Sequence, residues 1–291
     1  MTALYEAFDA YLLDRTPQQW ERDEVTRYRK RLYEALDLRF GLLAFFQSGS
    51  FSNGTGISMR SDVDYIARLP MDTQPSSSTT ALRTVRDFLS GELHEATSVT
   101  ISRPTVSVDF SGVVTAYEIV PSYLHSGDDD DTVLSIPGPD GTWIQSAPKA
   151  HLKYVTDANK LHNGGVKELA RLLKSWKYEH DVPVSSFYLE MRAAQHGHTN
   201  TSIWHLTSLR NVLKAILDGD VRDMNDPLQL VNRIPSCSSQ ANRSQTARQM
   251  RVAVEHLYVA AAAWFAKRYS ACTQQLQHVF GYGFSAVTEG P

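Results

Sequence analysis

The hydrophobic pattern of the chain changes its period near residue 149, and this change constrains the fold more than any other feature. In the first half, apolar and polar residues alternate over short segments such as SVTISR, TVSVDF and AYEIVPSY, which is typical of β-strands. From Lys149 onward, four longer segments repeat apolar residues at helical spacing. The sequence therefore predicts an α+β fold, with a mixed region over residues 1–148 and a helical lobe over residues 149–291.

Further signals divide the first half into elements. The first forty residues predict a helix, because Tyr28, Leu32 and Leu36 recur at helical spacing. ALRTVRDFLSG predicts a second helix, and DVDYIARLP predicts a strand that ends at Pro70. VLSIPGPDGTWIQ predicts a hairpin, because Pro-Asp-Gly favours a turn. The aspartates at 128–131 are typical of a solvated loop rather than a metal site.

Composition narrows the class of partner. The chain has 291 residues, 42% of them hydrophobic, and a net charge of −3, which favours a small-molecule partner over a long nucleic acid. Its two cysteines, Cys237 and Cys272, lack the spacing of a zinc site or a disulfide framework, so we expect a reducing cytoplasm. The longest apolar run, at 257–266, is shorter than the roughly 20 residues needed to cross a bilayer, so no membrane or export segment is expected.

Two aspartates at the start of a predicted strand carry the main chemical signal. Asp62 and Asp64 are two residues apart, so in a strand they point to the same face. Converging carboxylates suit Mg²⁺ or Mn²⁺, and a site for two such ions needs a further ligand. Asp109, within TVSVDF, is the natural third member, because an ionised Asp in an apolar strand is costly unless it is paired or bound to a metal.

A Gly-Ser turn precedes these carboxylates. Gly49 and Ser50 open a short polar stretch, where free backbone N–H groups and a hydroxyl can hold phosphate oxygens. Phosphates beside a pair of metal ions indicate nucleotide chemistry. Each piece is common alone, and the order of turn, paired aspartates and strand aspartate is what makes the combination specific.

The stretch GSFSNGTGISMRSDVDYIA resembles the signature of the DNA polymerase β-type nucleotidyltransferases. Phe51, Gly54, Thr55 and the Ser61-Asp62 pair favour its bacterial cyclic GMP-AMP synthase-like and 2'-5' oligoadenylate synthetase-like branch, the CD-NTases. DGTWIQSAPKAHLKYVTDANK and LARLLKSWKYEHDVPVSSFYLE are similar to later segments of that branch. The resemblance implies a polymerase β-type mixed sheet with helices, packed against a C-terminal helical lobe that closes the nucleotide cleft.

The resemblance also implies a role for each matching residue. Asp62, Asp64 and Asp109 would be the catalytic carboxylates and the ligands of two Mg²⁺ ions, with Mn²⁺ as an alternative. Gly49 and Ser50 would hold the β and γ phosphates of the donor nucleoside triphosphate. Lys174 and Ser186 would reach the same triphosphate, and Phe187 would stack on the donor base, in place of the commoner Tyr.

The activity implied is attack of a ribose hydroxyl on an α-phosphate, with release of pyrophosphate, to give a cyclic di- or trinucleotide. In the resembled branch such products are second messengers of bacterial antiphage signalling. The implied partners are the nucleoside triphosphates, a downstream effector that binds the product, and a regulatory protein.

Three alternatives stay open at this point. A transferase acting on tRNA or another polynucleotide has the same metal core, although it would normally carry a basic surface. A minimal transferase that modifies a drug or a protein side chain would not need the long helical lobe. A catalytically silent nucleotide-binding sensor would be expected to lack one of the three carboxylates.

Overall fold

The computed structural model describes residues 2–112 and 115–288. The chain divides into two compact units. The first, which we call the sheet unit, comprises residues 17–153 and 228–232. The second, the helical unit, comprises the described parts of residues 1–16, 154–227 and 233–291. The chain therefore passes from one unit to the other four times, and the change of unit at 153/154 lies close to the change of period in the sequence.

The sheet unit contains a mixed seven-stranded sheet, as the alternating segments predicted. Its strands are β1 (Ala44–Ser48), β2 (Val63–Arg68), β3 (Ala96–Ser102), β4 (Thr105–Phe110), β5 (Tyr117–Ser126), β6 (Val133–Pro137) and β7 (Trp143–Ser146). The main order is β1-β2-β5-β4-β3, and β6 joins β5 to β7. Only the β2–β5 pair among these is parallel. The predicted hairpin is confirmed as β6 and β7, which pair through Ile136 and Ile144.

One face of this sheet is covered by helices. After α1 (Thr2–Arg15), the chain forms α2 (Gln19–Phe40), the short α3 (Gly49–Ser52) and α4 (Ser78–Glu92). Leu32 and Leu36 of α2 are buried in one cluster with Val63 of β2 and Tyr117 of β5. The residues that alternate with these along β2 and β5 lie on the other face of the sheet, because neighbouring residues in a strand point to opposite sides.

The remaining helices are α5 (Pro148–Leu161), α6 (Gly165–Glu179), α7 (Ser186–Thr199), α8 (His205–Asp218), α9 (Gln240–Phe265) and α10 (Tyr269–Phe280). They belong to the helical unit except for residues 148–153 of α5, which lie in the sheet unit. The four segments predicted from the pattern correspond to α5, α6, α8 and α9, whereas α7 and most of α10 were not among them. The last helical segment, predicted as continuous to Ala271, is divided in two by a turn at 266–268. Lys267 has a left-handed backbone, with φ of 58°, which ends α9.

The first helix packs with the helical unit, although the sequence grouped residues 1–148 together. Leu4, Phe8 and Tyr11 of α1 belong to the large buried cluster of that unit. The Tyr11 hydroxyl donates to the carbonyl of Phe280 at 3.3 Å. The helical pattern of α1 was visible in the sequence, but the surface that its apolar side covers was not. Within the described residues, no helix combines the length and the apolar character needed to span a membrane.

Candidate active site

The two aspartates of the sequence motif lie where β2 begins, next to the parallel strand β5. Asp62 directly precedes β2, and Asp64 is its second residue. Asp64 pairs with Ser48 of β1 on one side and with Glu118 of β5 on the other. Val63 and Tyr117, the neighbours of Asp64 and Glu118, are buried in the opposite face. The polar side chains therefore share the face of the sheet that α2 and α4 do not cover.

Glu118 is a candidate site residue that the sequence reasoning missed. Burial raises the pKa of its carboxyl, and the charge of Asp62 raises it further, while hydrogen bonds with Thr105 and Asp64 act in the opposite direction. Its environment is therefore shaped by both motif aspartates. The signal was present in AYEIVPSY, where Glu118 is an acid within an apolar strand, the same feature that drew attention to Asp109.

Asp109 lies in β4, as predicted, but it does not join this group. The ladder between β4 and β5 runs from Val106 to Val108, so Asp109 lies one residue beyond its last pair. β5 separates β4 from β2 in the sheet. The residue of β4 that faces Glu118 is Ser107. We therefore replace Asp109 by Glu118 as the candidate third carboxylate, because adjacent strands in register bring side chains together and strands two positions apart do not.

The Gly-Ser turn lies against Asp64. Gly49 has φ of 65°, a left-handed conformation that favours glycine. A Cβ at this position would overlap the Asp64 carboxylate, with its Cγ only 2.8 Å away. Ser50 follows in α3, and its carbonyl accepts a hydrogen bond from the Thr55 backbone N–H at 2.9 Å. Glycine at position 49 is thus what allows the turn and the carboxylate to approach each other.

The loop that leads into Asp62 is held from two sides. The hydroxyl of Ser61 accepts from the backbone N–H of Ile57 at 2.8 Å, and Ser61 is buried. Glu21 of α2 is also buried, and its carboxylate accepts from the Ser58 hydroxyl at 2.8 Å and from the Met59 backbone at 3.0 Å. Glu21 thereby fixes the loop to a helix of the same unit, which restricts the position of Asp62.

The chemistry of these donors fits divalent cations. Asp62, Asp64 and Glu118 offer only carboxylate oxygens, the ligands that Mg²⁺ and Mn²⁺ prefer. Among the described residues, no three His, Cys, Asp or Glu side chains are already arranged as a metal site. Burial raises the pKa of Glu118 and the charge of Asp62 raises it further, so a cation bound here would favour the ionised carboxylate.

In the helical unit, Lys174 is placed differently from the sequence prediction. Its side chain is 1% exposed, and its Nζ lies 3.0 Å from Oε2 of Glu190, which is equally buried. A lysine in a buried ion pair of α6 and α7 stabilises the packing of those helices and does not present its charge to solvent. Direct contact of Lys174 with a triphosphate stays a prediction that this placement does not favour.

A second lysine of α6 lies beside the predicted phosphate-binding serine. Lys177 donates from Nζ to the Ser186 hydroxyl at 2.6 Å. Ser185 begins α7 by accepting from the Tyr188 backbone N–H at 3.3 Å, so Ser186 and Phe187 stand in the first turn of the helix. Phe187 is 41% exposed. The structure thus brings Ser186, Phe187 and Lys177 together at the start of α7, and Lys177 was not selected from the sequence.

Comparisons with known proteins identify the family of the chain. Residues 1–159 match the family model of the Second Messenger Oligonucleotide or Dinucleotide Synthetase domain, SMODS. A comparison with curated protein sequences gave no match.

Solved structures of similar fold cover almost the whole chain. The CdnC protein of a CdnC:HORMA-deltaN complex from E. coli MS115-1 is 18% identical, with a TM-score of 0.76 over 97% of this chain and 98% of its own. The Bradyrhizobium diazoefficiens CD-NTase CdnG, in complex with GTP, is 13% identical, with a TM-score of 0.76 over 96% and 94%. Vibrio cholerae DncV, a cyclic AMP-GMP synthase in complex with a linear intermediate, is 15% identical, with a TM-score of 0.65 over 85% and 72%.

The family model spans more than half of the chain and includes the Gly-Ser turn, the paired aspartates and Glu118. The polymerase β-type fold expected from the motif is confirmed by the structural matches. The chain belongs to the second messenger oligonucleotide or dinucleotide synthetase family of nucleotidyltransferases, the CD-NTases.

Proposed function

We propose that the protein joins nucleoside triphosphates, without a template, into a cyclic di- or trinucleotide second messenger. One observation carries this proposal: Asp64 and Glu118 are paired across parallel strands, beside Asp62 and against the Gly49 turn. Acidic residues and a phosphate-accommodating turn on one sheet face are the components that nucleotidyl transfer requires. The family match supports the class of product.

In the proposed reaction, a ribose hydroxyl oxygen forms a bond with the α-phosphorus of the donor nucleotide. The bond from that phosphorus to the bridging oxygen of the β-phosphate breaks, and pyrophosphate leaves. Asp62, Asp64 and Glu118 would hold two divalent cations, which supply charge neutralisation for the attacking and leaving oxygens. Glu118, whose pKa is raised, is the group placed to accept the hydroxyl proton.

In the sheet unit, the Gly49 backbone and the Ser50 hydroxyl are proposed to hold phosphate oxygens of the donor nucleotide. In the helical unit, Ser186 and Lys177 offer a hydroxyl and a cation for phosphate oxygens, and Phe187 offers an exposed ring for a base. Lys174 would act indirectly, because its pair with Glu190 joins α6 to α7.

The biological role proposed is a signal generator in bacterial antiphage defence, located in the cytoplasm. Its product would be bound by a separate effector. The E. coli relative was solved with a HORMA protein, which supports a regulatory partner for proteins of this fold. No membrane or long nucleic acid enters the proposed reaction.

The decisive experiment is incubation of the purified protein with α-labelled ATP, GTP, CTP and UTP, singly and mixed, with Mg²⁺ or Mn²⁺ and with or without added tRNA. The products are treated with phosphatase and identified by mass spectrometry. A phosphatase-resistant di- or trinucleotide that is absent from the Asp64→Asn variant is expected. Label that appears only on added tRNA or on protein would overturn the proposal in favour of a polynucleotide or protein modifier.

A further inference from the structure

A second recess lies on the carboxylate face of the same sheet, farther along the strands. It has a volume of about 340 Å³, and every residue that lines it belongs to the sheet unit. Phe46 of β1, Leu124 of β5 and Leu134 of β6 form apolar walls. Arg68 of β2 and Lys149 at the start of α5 add cationic groups, and Asp128 and Asp129 add carboxylates.

The sheet register relates this recess to the candidate active site. Asp64 and Arg68 are four residues apart in β2, so their side chains point to the same face, about 13 Å apart along the strand. Phe46 pairs with Ile66, midway between them, and Ile66 packs with Phe46 in a small apolar cluster on that face. A bound molecule could therefore have one end at the carboxylates and the other in the recess, with an apolar surface between.

Polar groups of both charges line the recess. The Nε of Arg68 is buried and has no hydrogen-bond partner among the described residues. Lys149 has its Nζ 5.6 Å from the centre of the Phe46 ring, which keeps the ammonium at the aromatic wall. Asp128 and Asp129 are exposed in the loop after β5. Cations and carboxylates thus line one recess while the Arg68 Nε is left without a protein partner.

The combination of cations and carboxylates in the recess favours guanine over the other nucleobases. Guanine presents two neighbouring acceptors, O6 and N7, which arginine or lysine binds, and two neighbouring donors, N1–H and the N2 amino group, which a carboxylate binds. Adenine has an acceptor at N1, so a carboxylate there would face a lone pair. Cytosine and uracil offer a single ring, which contacts less of the apolar walls.

We infer that this recess, defined by Arg68, Lys149, Asp128 and Asp129 with Phe46, is a guanine-binding pocket for the acceptor nucleotide. The inference rests on the proposed function and deepens it, because it names the base of the nucleotide whose hydroxyl attacks. Arg68 and Lys149 bind the O6 and N7 side of the base, and the two aspartates bind its amino side. GTP is accordingly the acceptor in the first joining step.

The test is equilibrium binding of GMP, AMP and CMP to the full chain by calorimetry in EDTA, which requires no catalysis. GMP is expected to bind most tightly, and Arg68→Gln to weaken GMP by about tenfold or more, with little effect on AMP. The Asp128→Asn/Asp129→Asn double variant is expected to reduce the preference for GMP over AMP. Matched controls are Arg83→Gln, an exposed cation of α4, and Asp130→Asn in the same loop, neither of which lines the recess.

A second variant distinguishes weaker GMP binding from misfolding of the protein. Arg68→Lys keeps the charge but loses the planar fork of donors, so it should fold with an unchanged melting temperature and still weaken GMP. GMP that binds no better than AMP and CMP would overturn the inference, as would equal effects of Arg68→Gln and Arg83→Gln. Failure of this test would not decide the proposed function. That function is tested separately, by product formation in the wild type and its loss in Asp64→Asn.

Discussion

Candidate functional residues are held in place by different kinds of structure in the two units. In the sheet unit, Asp64 and Glu118 are residues of paired strands, and a backbone ladder determines which side chain faces which. In the helical unit, Lys174 and Lys177 are three residues apart on α6, yet one is buried against Glu190 and the other reaches Ser186. Position in a strand pair thus specifies a partner, whereas position on a helix specifies it only after the packing is known.

Neutralising each of the two candidates for the third carboxylate, Glu118 and Asp109, tests this comparison most strongly. Glu118→Gln should lower product formation by at least about 100-fold, because it removes the carboxylate proposed to hold the cations and to accept the hydroxyl proton. Asp109→Asn should leave most of the activity, because Asp109 lies beyond the β4–β5 ladder. Initial rates of product formation by mass spectrometry measure both. The opposite ranking would restore Asp109 as the third carboxylate.

A stability measurement without metal tests the same assignment. The pKa of Glu118 is raised in the folded protein, so this group stabilises the fold at low pH, and that contribution is lost as the pH rises above its ordinary value of 4.5. In EDTA, Glu118→Gln should therefore gain stability relative to wild type between pH 5 and pH 8. A constant difference in melting temperature across this range would contradict the assignment.

The two lysines of α6 provide the next largest contrast. Lys174→Met removes the 3.0 Å ion pair to the buried Glu190 and should destabilise the fold by about 3–5 kcal/mol in urea unfolding. Lys177→Met should change stability little but raise the KM for the donor nucleotide, because Lys177 lies beside Ser186. The Lys174→Met/Glu190→Met double variant should recover much of the lost stability. Wild-type stability in Lys174→Met would show that this lysine is free to reach a ligand.

Gly49 offers a test with a matched control in the same unit. Gly49 and Gly41 both have positive φ, at 65° and 62°, so alanine should cost each variant about 1–2 kcal/mol of backbone strain. Only at Gly49 would the new Cβ overlap Asp64, since nothing lies within 4 Å of a Cβ at Gly41. Gly49→Ala should therefore lose activity beyond its loss of stability, while Gly41→Ala should not. Equal activities would show that the turn does not position the carboxylate.

The sequence predicted the parts that depend on local pattern. The alternation identified the strands, and the motif placed Asp62 and Asp64 at the start of β2. It could not decide between Asp109 and Glu118, because both are acids in apolar strands and only the order of strands in the sheet distinguishes them. It could not assign Lys177 rather than Lys174 to Ser186, because helical spacing alone does not show which side of α6 packs against α7.

The smallest predicted effect concerns the support of the α7 start. The Oδ1 of Asp223 accepts from the backbone N–H of Ser236 at 3.0 Å and from its hydroxyl at 3.1 Å. The carbonyl of Ser236 in turn accepts from the Ser185 backbone at 2.8 Å, immediately before α7. Burial alone would raise the pKa of Asp223, but the hydrogen bonds from Ser236 and the charges of Arg243 and Arg233 lower it overall.

A lowered pKa means that Asp223 stabilises the fold above its unfolded pKa and that this contribution is lost as the pH falls through the lower folded value. Asp223→Asn should therefore cost on the order of 1 kcal/mol at pH 7, and the cost should shrink as the pH falls below 3.8. Asp220→Asn is the control, since Asp220 is paired with Arg222 in solvent. Because Ser186 follows Ser185 directly, Asp223→Asn should also raise the donor KM with little change in kcat. Equal donor KM values for the two variants would show that the Ser236 contact does not position the start of α7.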